Sequence, residues 1–242
     1  MAAEWRPAIG STPTAPLPRR GSVSSAPTSA SPSPTLRVPV VHAVTSDEIV
    51  ARTDFLDVTC GVMGVLGPRG ALHLRAPRLV AARLYELAEA LVAAQSITGA
   101  WLVVNDRVDV ALAVGARGAQ LTSRSLLTAD ARQAAPALAL GASVHGVAEG
   151  IEAARAGADW LVVDHAFAPA AGAGASTTRI ERLAALSSAP LVAIGGIRPR
   201  HCRALRMAGA HGVAVIRGIW DAPNAERAAA DYLSCHDEAS AA

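Results

Sequence analysis

Eight times between about residue 38 and residue 233, a short β-branched or apolar run gives way to a longer Ala-, Arg- and Leu-rich segment. The longer segments carry apolar residues at helical spacing. This alternation constrains the fold more than any other feature, because strands joined by helix-length crossovers pair in parallel. Strands are expected at residues 38–44, 71–75, 101–104, 119–121, 139–144, 159–163, 190–194 and 212–216. Helices are expected at 47–66, 79–95, 106–114, 128–133 (behind a Thr128 cap), 147–156, 178–186, 198–208 and 225–233. Eight units in about 200 residues favour an α/β chain closed into a single (β/α)8 TIM barrel. An open doubly wound sheet is disfavoured, since no dinucleotide-type glycine fingerprint follows the first strand.

The barrel is expected to span residues 37–236, with a short C-terminal tail at 237–242. Residues 1–36 are rich in Ser, Pro, Ala, Thr and Gly and cannot bury enough apolar surface to offset their ordering entropy. They read as a disordered extension rather than a transit peptide, because Glu4 and the many prolines fit a leader poorly.

At 51% apolar, the remainder can bury a large core. Twenty-two Lys and Arg against 20 Asp and Glu leave a formal charge of +2, too balanced for a nucleic-acid footprint. No apolar run reaches the roughly 18 residues of a membrane span. The three cysteines, Cys60, Cys202 and Cys235, are widely and irregularly spaced. They form neither a metal set nor a disulfide framework, and a reducing, cytoplasmic compartment is expected.

In a barrel of this kind chemistry sits at the C-terminal ends of the strands. The polar residues there are His42 and Thr45, His73 and Arg75, Asn105 and Asp106, Gln120 and Thr122, Ser143 and His145, and Asp164 and His165. Gly195-Gly196 ends the seventh strand and Arg217-Gly218 the eighth. The glycine pair lets backbone amides approach an anion, and the Arg217-Gly218 segment adds amides at a helix start; together they make a phosphate cradle. The bland alternative for the pair is a tight turn. Arg75 suits either a two-pronged contact with an anion or a bridge to a neighbouring strand. Asp106 suits a helix cap at least as well as a site-lining role.

Several segments together resemble the thiamine phosphate synthase superfamily. They are the run from Val104-Asn105-Asp106-Arg107 to Leu112, Ser143-Val144-His145, Ala156-Gly157-Ala158-Asp159, Ala193-Ile194-Gly195-Gly196-Ile197, and the run from Ala208-Gly209-Ala210 to Val215. The resemblance covers about 70–220 well and 38–69 loosely. The synthase branch joins a pyrimidine pyrophosphate to a thiazole phosphate with magnesium. Of its Gln-x-Arg-x-Lys strand end, His73-Leu74-Arg75-Ala76-Pro77 keeps only the Arg. Its acidic magnesium ligand after the fourth strand has no counterpart in Gln120-Leu121-Thr122-Ser123-Arg124-Ser125, and residues 166–174 lack its Lys and Thr.

The thiazole tautomerase (TenI-like) branch ends its sixth strand in a Gly-His-Val-Phe element, matched by Asp164-His165-Ala166-Phe167. The resemblance therefore implies an isomerase, with His165 as the catalytic acid/base that aromatises a carboxythiazole phosphate, without metal or cofactor. Asp164, adjacent to it, is expected to face the helices. Substrate-binding residues would be Arg75, Asn105, Ser143, Gly195, Gly196, Arg217 and Gly218, and the partner a small-molecule thiazole phosphate. The alternatives are the synthase itself and a non-catalytic phosphate-ligand binder. The apolar helix at Phe55–Leu66 suits the core, the reading adopted, or a homodimer interface.

Overall fold

The structure, a computed structural model, describes residues 36–164 and 177–241. Most of the expected N-terminal tail and the segment carrying His165 lie outside the described residues. The expected alternation is present throughout the unit that begins at Arg37. The strands are β1 (Val41–Val44), β2 (Gly70–Leu74), β3 (Trp101–Asn105), β4 (Gly118–Leu121), β5 (Ala139–Val144), β6 (Trp160–Val163), β7 (Leu191–Ile194) and β8 (Gly212–Val215). All pair in parallel in sequence order, and β8 returns to β1 through Val41↔Val213, closing the (β/α)8 barrel.

The helices are α1 (Asp47–Val50), α2 (Phe55–Leu66), α3 (Ala81–Thr98), α4 (Val108–Val114), α5 (Thr128–Ala134), α6 (Val147–Arg155), α7 (Thr178–Leu186), α8 (Cys202–Met207), α9 (Arg217–Trp220) and α10 (Ala225–Ala241). The helix expected over 47–66 is interrupted by a turn at 51–54, where the Arg52 side chain pairs with Asp54 and donates to the Trp220 carbonyl at 3.1 Å. Thr128 does not cap α5; Leu127 holds the N-cap position without a side-chain bond. The 198–208 helix opens as a 3-10 turn at Pro199–His201, where proline has no amide to donate. The helix start expected at Arg217-Gly218 is the short α9, and α10 runs on to Ala241 rather than ending near Leu233.

Two cores share the strands, as the two-residue side-chain period demands. Leu161 and Val163 face outward into the large core beneath the helices, where the apolar face of α2 (Phe55, Val62, Met63, Leu66) also packs. Trp160 and Val162 face inward with Ala71, Trp101, Val103, Val192 and Ala214. The Trp101 and Trp160 rings meet nearly edge-on, 6.3 Å apart at 72°.

One expectation about the cysteines fails. Cys202 at the start of α8 and Cys235 on α10 form a disulfide, 33 residues apart in sequence with Cα atoms 6.1 Å apart. Irregular spacing concealed the pair because barrel closure, not local sequence, brings the two helices together. Among the described residues no helix is long and apolar enough to cross a membrane.

Candidate functional site

The inward stripe of each strand continues past its last apolar residue into the barrel mouth. The mouth is a cavity of about 440 Å³ lined by His73, Arg75, Asn105, Gln120, Ser143, His145, Asp164 and Gly195, among others. Arg75, Asn105, Ser143 and Gly195 thus meet as the sequence implied. Asp164 does not face the helices. It follows Trp160 and Val162 on the inward parity and lines the mouth.

A second cavity of about 820 Å³ shares Ile194, Gly195, Ala214 and Ile216 with the first and continues over the loops after β7 and β8. Gly196, Arg217, Gly218 and Tyr232 line it. Gly195 and Gly196 have φ of 112° and 64°, backbone that L side chains rarely adopt, so glycine is required there by conformation. Gly218 lies in the first turn of α9, where amides have no acceptor within the helix. Arg217 begins that turn.

The interior polar groups are held by bonds of definite direction. His42 Nε2 lies 2.9 Å from the Pro39 carbonyl, which can only accept, so His42 carries its proton there when neutral. His42 Nδ1 then accepts from His73 Nε2 at 2.8 Å. Burial is the main force that lowers the pKa of His42 to about 4 and holds that of His73 well below its usual value, so both rings are neutral. Gln120 accepts from Trp160 Nε1 at 3.0 Å and donates to Ser143 Oγ at 3.0 Å, setting the Ser143 hydroxyl at the rim. Asn105 is 8% exposed and lines the mouth beside His73, with its Oδ1 buried and its side chain acting against the fall in the His73 pKa. His42, His73 and Gln120 were visible as polar strand residues without a role; a polar side chain between Ala119 and Leu121 was the signal for Gln120.

Thr45 Oγ1 both accepts from Arg75 N at 2.9 Å and donates to Arg75 O at 3.0 Å, fixing that backbone. No ion pair within 4.0 Å joins the Arg75 guanidinium to a described carboxylate, while its charge adds to the backbone and Ser46 hydrogen bonds that lower the pKa of Glu48. His145 stands at the rim beside Glu149, which accepts from its backbone amide at 2.7 Å.

Asp106 is not a helix cap. Its φ of 64° turns the chain so that α4 starts two residues later, with Arg107 at the N-cap. Its carboxylate instead holds the loop after β4, accepting from Thr122 Oγ1, Ser125 Oγ at 2.7 Å and Arg124 Nη2 at 3.4 Å. The magnesium implied by the synthase resemblance does not fit these residues. The carboxylate's lone pairs are already directed at two hydroxyls and a guanidinium. Among the described residues no cluster of three His, Cys, Asp or Glu could hold a metal ion.

Comparison with known proteins follows the same geometry. Residues 41–219 match the family described as thiamine monophosphate synthase. The thiamine-phosphate synthase of Methanoculleus marisnigri is 36% identical over 73% of this chain and 85% of that protein. That of Pyrococcus horikoshii is 33% identical over 67% and 80%. The solved thiamine phosphate pyrophosphorylase from Pyrococcus furiosus superposes with a TM-score of 0.72 at 28% identity, covering 83% of this chain and 96% of that one. These relatives overturn the tautomerase expectation and its isomerase class. They point instead to the transferase ranked second on sequence, and His165 loses the reaction for which it was selected.

Proposed function

The chain belongs to the thiamine monophosphate synthase family, and from that membership we infer that it is a transferase joining a pyrimidine pyrophosphate to a thiazole phosphate. The observation that supports this reading is the continuity of the Arg75-bearing mouth with the glycine-lined cavity after β7 and β8, which share Ile194, Gly195, Ala214 and Ile216.

In this reading the cradle binds the thiazole phosphate through the amides around Gly195, Gly196 and Gly218, with Arg217 adding charge. The Arg75 guanidinium meets the pyrophosphate, whose negative charge grows as it leaves. Arg124, held at the rim by Asp106, adds a second cation on that side. Asn105 and Ser143, which line the mouth, orient the ring between the two anions. Holding both substrates in one cavity makes the joining step effectively unimolecular. No step is routed through a metal.

A second reading, binding of the same phosphates without turnover, is favoured by one observation: Ser125 and Arg124 occupy the Asp106 carboxylate. Incubation with both substrates followed by mass spectrometry separates the two. Joined product supports the transferase; saturable binding with no product supports the second reading.

A further inference from the structure

The last helix reaches into the cradle through one side chain. Tyr232 on α10 is 2% exposed and lines the cradle cavity. Its hydroxyl donates to the Ile197 carbonyl at 2.8 Å, one residue beyond Gly196. The same hydroxyl fills the space against Gly218, so that a side chain at that position would collide with it. One phenol therefore abuts both loops of the cradle, the loop after β7 by a hydrogen bond and the turn after β8 by close packing.

The helix carrying Tyr232 is itself tied to the first of those loops. Cys235 lies three residues on from Tyr232, one helical turn, and is bonded to Cys202. Cys202 follows directly on the Pro199–His201 turn that leaves the glycine pair. The covalent tie and the hydrogen bond thus run in parallel from α10 to the same segment.

We propose that Tyr232 is a positioning residue for the phosphate cradle, holding the loops after β7 and β8 in register, and that the Cys202–Cys235 bond braces the helix that presents it. The proposal rests on the cradle reading given above. The phenol touches no reacting atom; it acts through the placement of the Gly195, Gly196 and Gly218 amides. Removing the hydroxyl frees the Ile197 carbonyl and lets the loop relax away from α9. Reduction by excess dithiothreitol adds two hydrogens across the sulfur–sulfur bond, leaves two thiols and oxidises the reagent to its cyclic disulfide.

The test titrates inorganic phosphate into the full chain by calorimetry, with amide NMR spectra of Gly195, Gly196 and Gly218 recorded alongside. Wild type in oxidised and reduced form, Tyr232→Phe, Cys235→Ser and Gly196→Ala are compared. Tyr232→Phe is expected to weaken phosphate binding about 3- to 10-fold, the range of one net hydrogen bond, and to shrink the phosphate-induced shifts at all three glycines. In turnover the change falls on KM for the phosphorylated thiazole and leaves kcat unaltered. Cys235→Ser and reduced wild type are expected to weaken binding in the same direction. Unchanged affinity and shifts in Tyr232→Phe overturn the role of the phenol while the cradle stands, provided Gly196→Ala abolishes binding. Unchanged affinity on reduction overturns the brace. Failure of oxidised wild type to bind phosphate overturns the cradle and this proposal together. If Tyr232→Phe does not fold, Gly218→Ala, whose methyl group meets the Tyr232 hydroxyl, replaces it, and unchanged phosphate affinity and shifts in that variant overturn the role of the phenol.

Discussion

His42 and His73 form a neutral imidazole pair inside the barrel, 2.8 Å apart, with its direction fixed by the Pro39 carbonyl. Neither ring can take up a proton without losing an acceptor or charging a site with no exposed surface. Burial lowers His42 from 6.5 to about 4. Above pH 6.5 both folded and unfolded chains keep this histidine neutral, so it contributes no pH dependence there. As pH falls below 6.5 the unfolded chain binds a proton that the folded chain refuses, and stability declines until about pH 4. The gap corresponds to about 3 kcal/mol for His42 alone. Denaturant unfolding at pH 7 and pH 4.5 is expected to show this loss, with a smaller slope in His42→Gln; equal slopes would refute it.

Gln120 is the hub of the other interior network. Replacing it by Leu leaves Trp160 Nε1 without an acceptor at a fully buried position and frees the Ser143 hydroxyl. A stability loss of about 1–3 kcal/mol is expected, the cost of a buried donor left unpaired. Gln120→Glu, which keeps an acceptor for Trp160, is expected to recover indole bonding in the NMR spectrum but not full stability.

The fold was legible because the alternation of strands and helices is a long-range pattern that no single boundary error disturbs. The meeting of Gly195-Gly196 with Arg217-Gly218 in one cavity was legible for a related reason: they follow strands whose order in the barrel is their order in sequence. The parity of β6 was not legible. Trp160, Leu161, Val162 and Val163 are apolar on both faces, as parallel strands covered on each side tend to be, so no polar alternation marks the inward side. The inward packing of Trp160 resolves it and puts Asp164 in the mouth. The Cys202–Cys235 bond and the reach of Tyr232 to Ile197 depend on how α10 docks, which local sequence does not encode.

Arg75 is expected to matter to binding rather than to folding. Its backbone is fixed by Thr45, while its side chain lines the mouth and pairs with no described carboxylate. Arg75→Met should cost about 1.5–3 kcal/mol of interaction with an anionic ligand, or roughly 10- to 100-fold in affinity for pyrophosphate. The melting temperature should change little. A large loss of stability with unchanged pyrophosphate affinity would return Arg75 to a structural role.

Gly196→Ala tests the cradle from its backbone. At φ 64° an alanine is strained by about 1–2 kcal/mol, and relief of that strain would turn the amides of the loop. Lowered thermal stability and lost phosphate binding are expected together; phosphate binding at wild-type strength would exclude the glycine pair from the site.

The account as a whole turns on whether two phosphorylated substrates react in this barrel. Phosphorus NMR of the full chain with pyrimidine pyrophosphate and thiazole phosphate, in buffers with and without magnesium, follows the leaving group directly. The account predicts free pyrophosphate and thiamine phosphate appearing one for one, only when both substrates are present, and slowed by Arg75→Met. Saturated binding of both substrates with no pyrophosphate released in either buffer would contradict it.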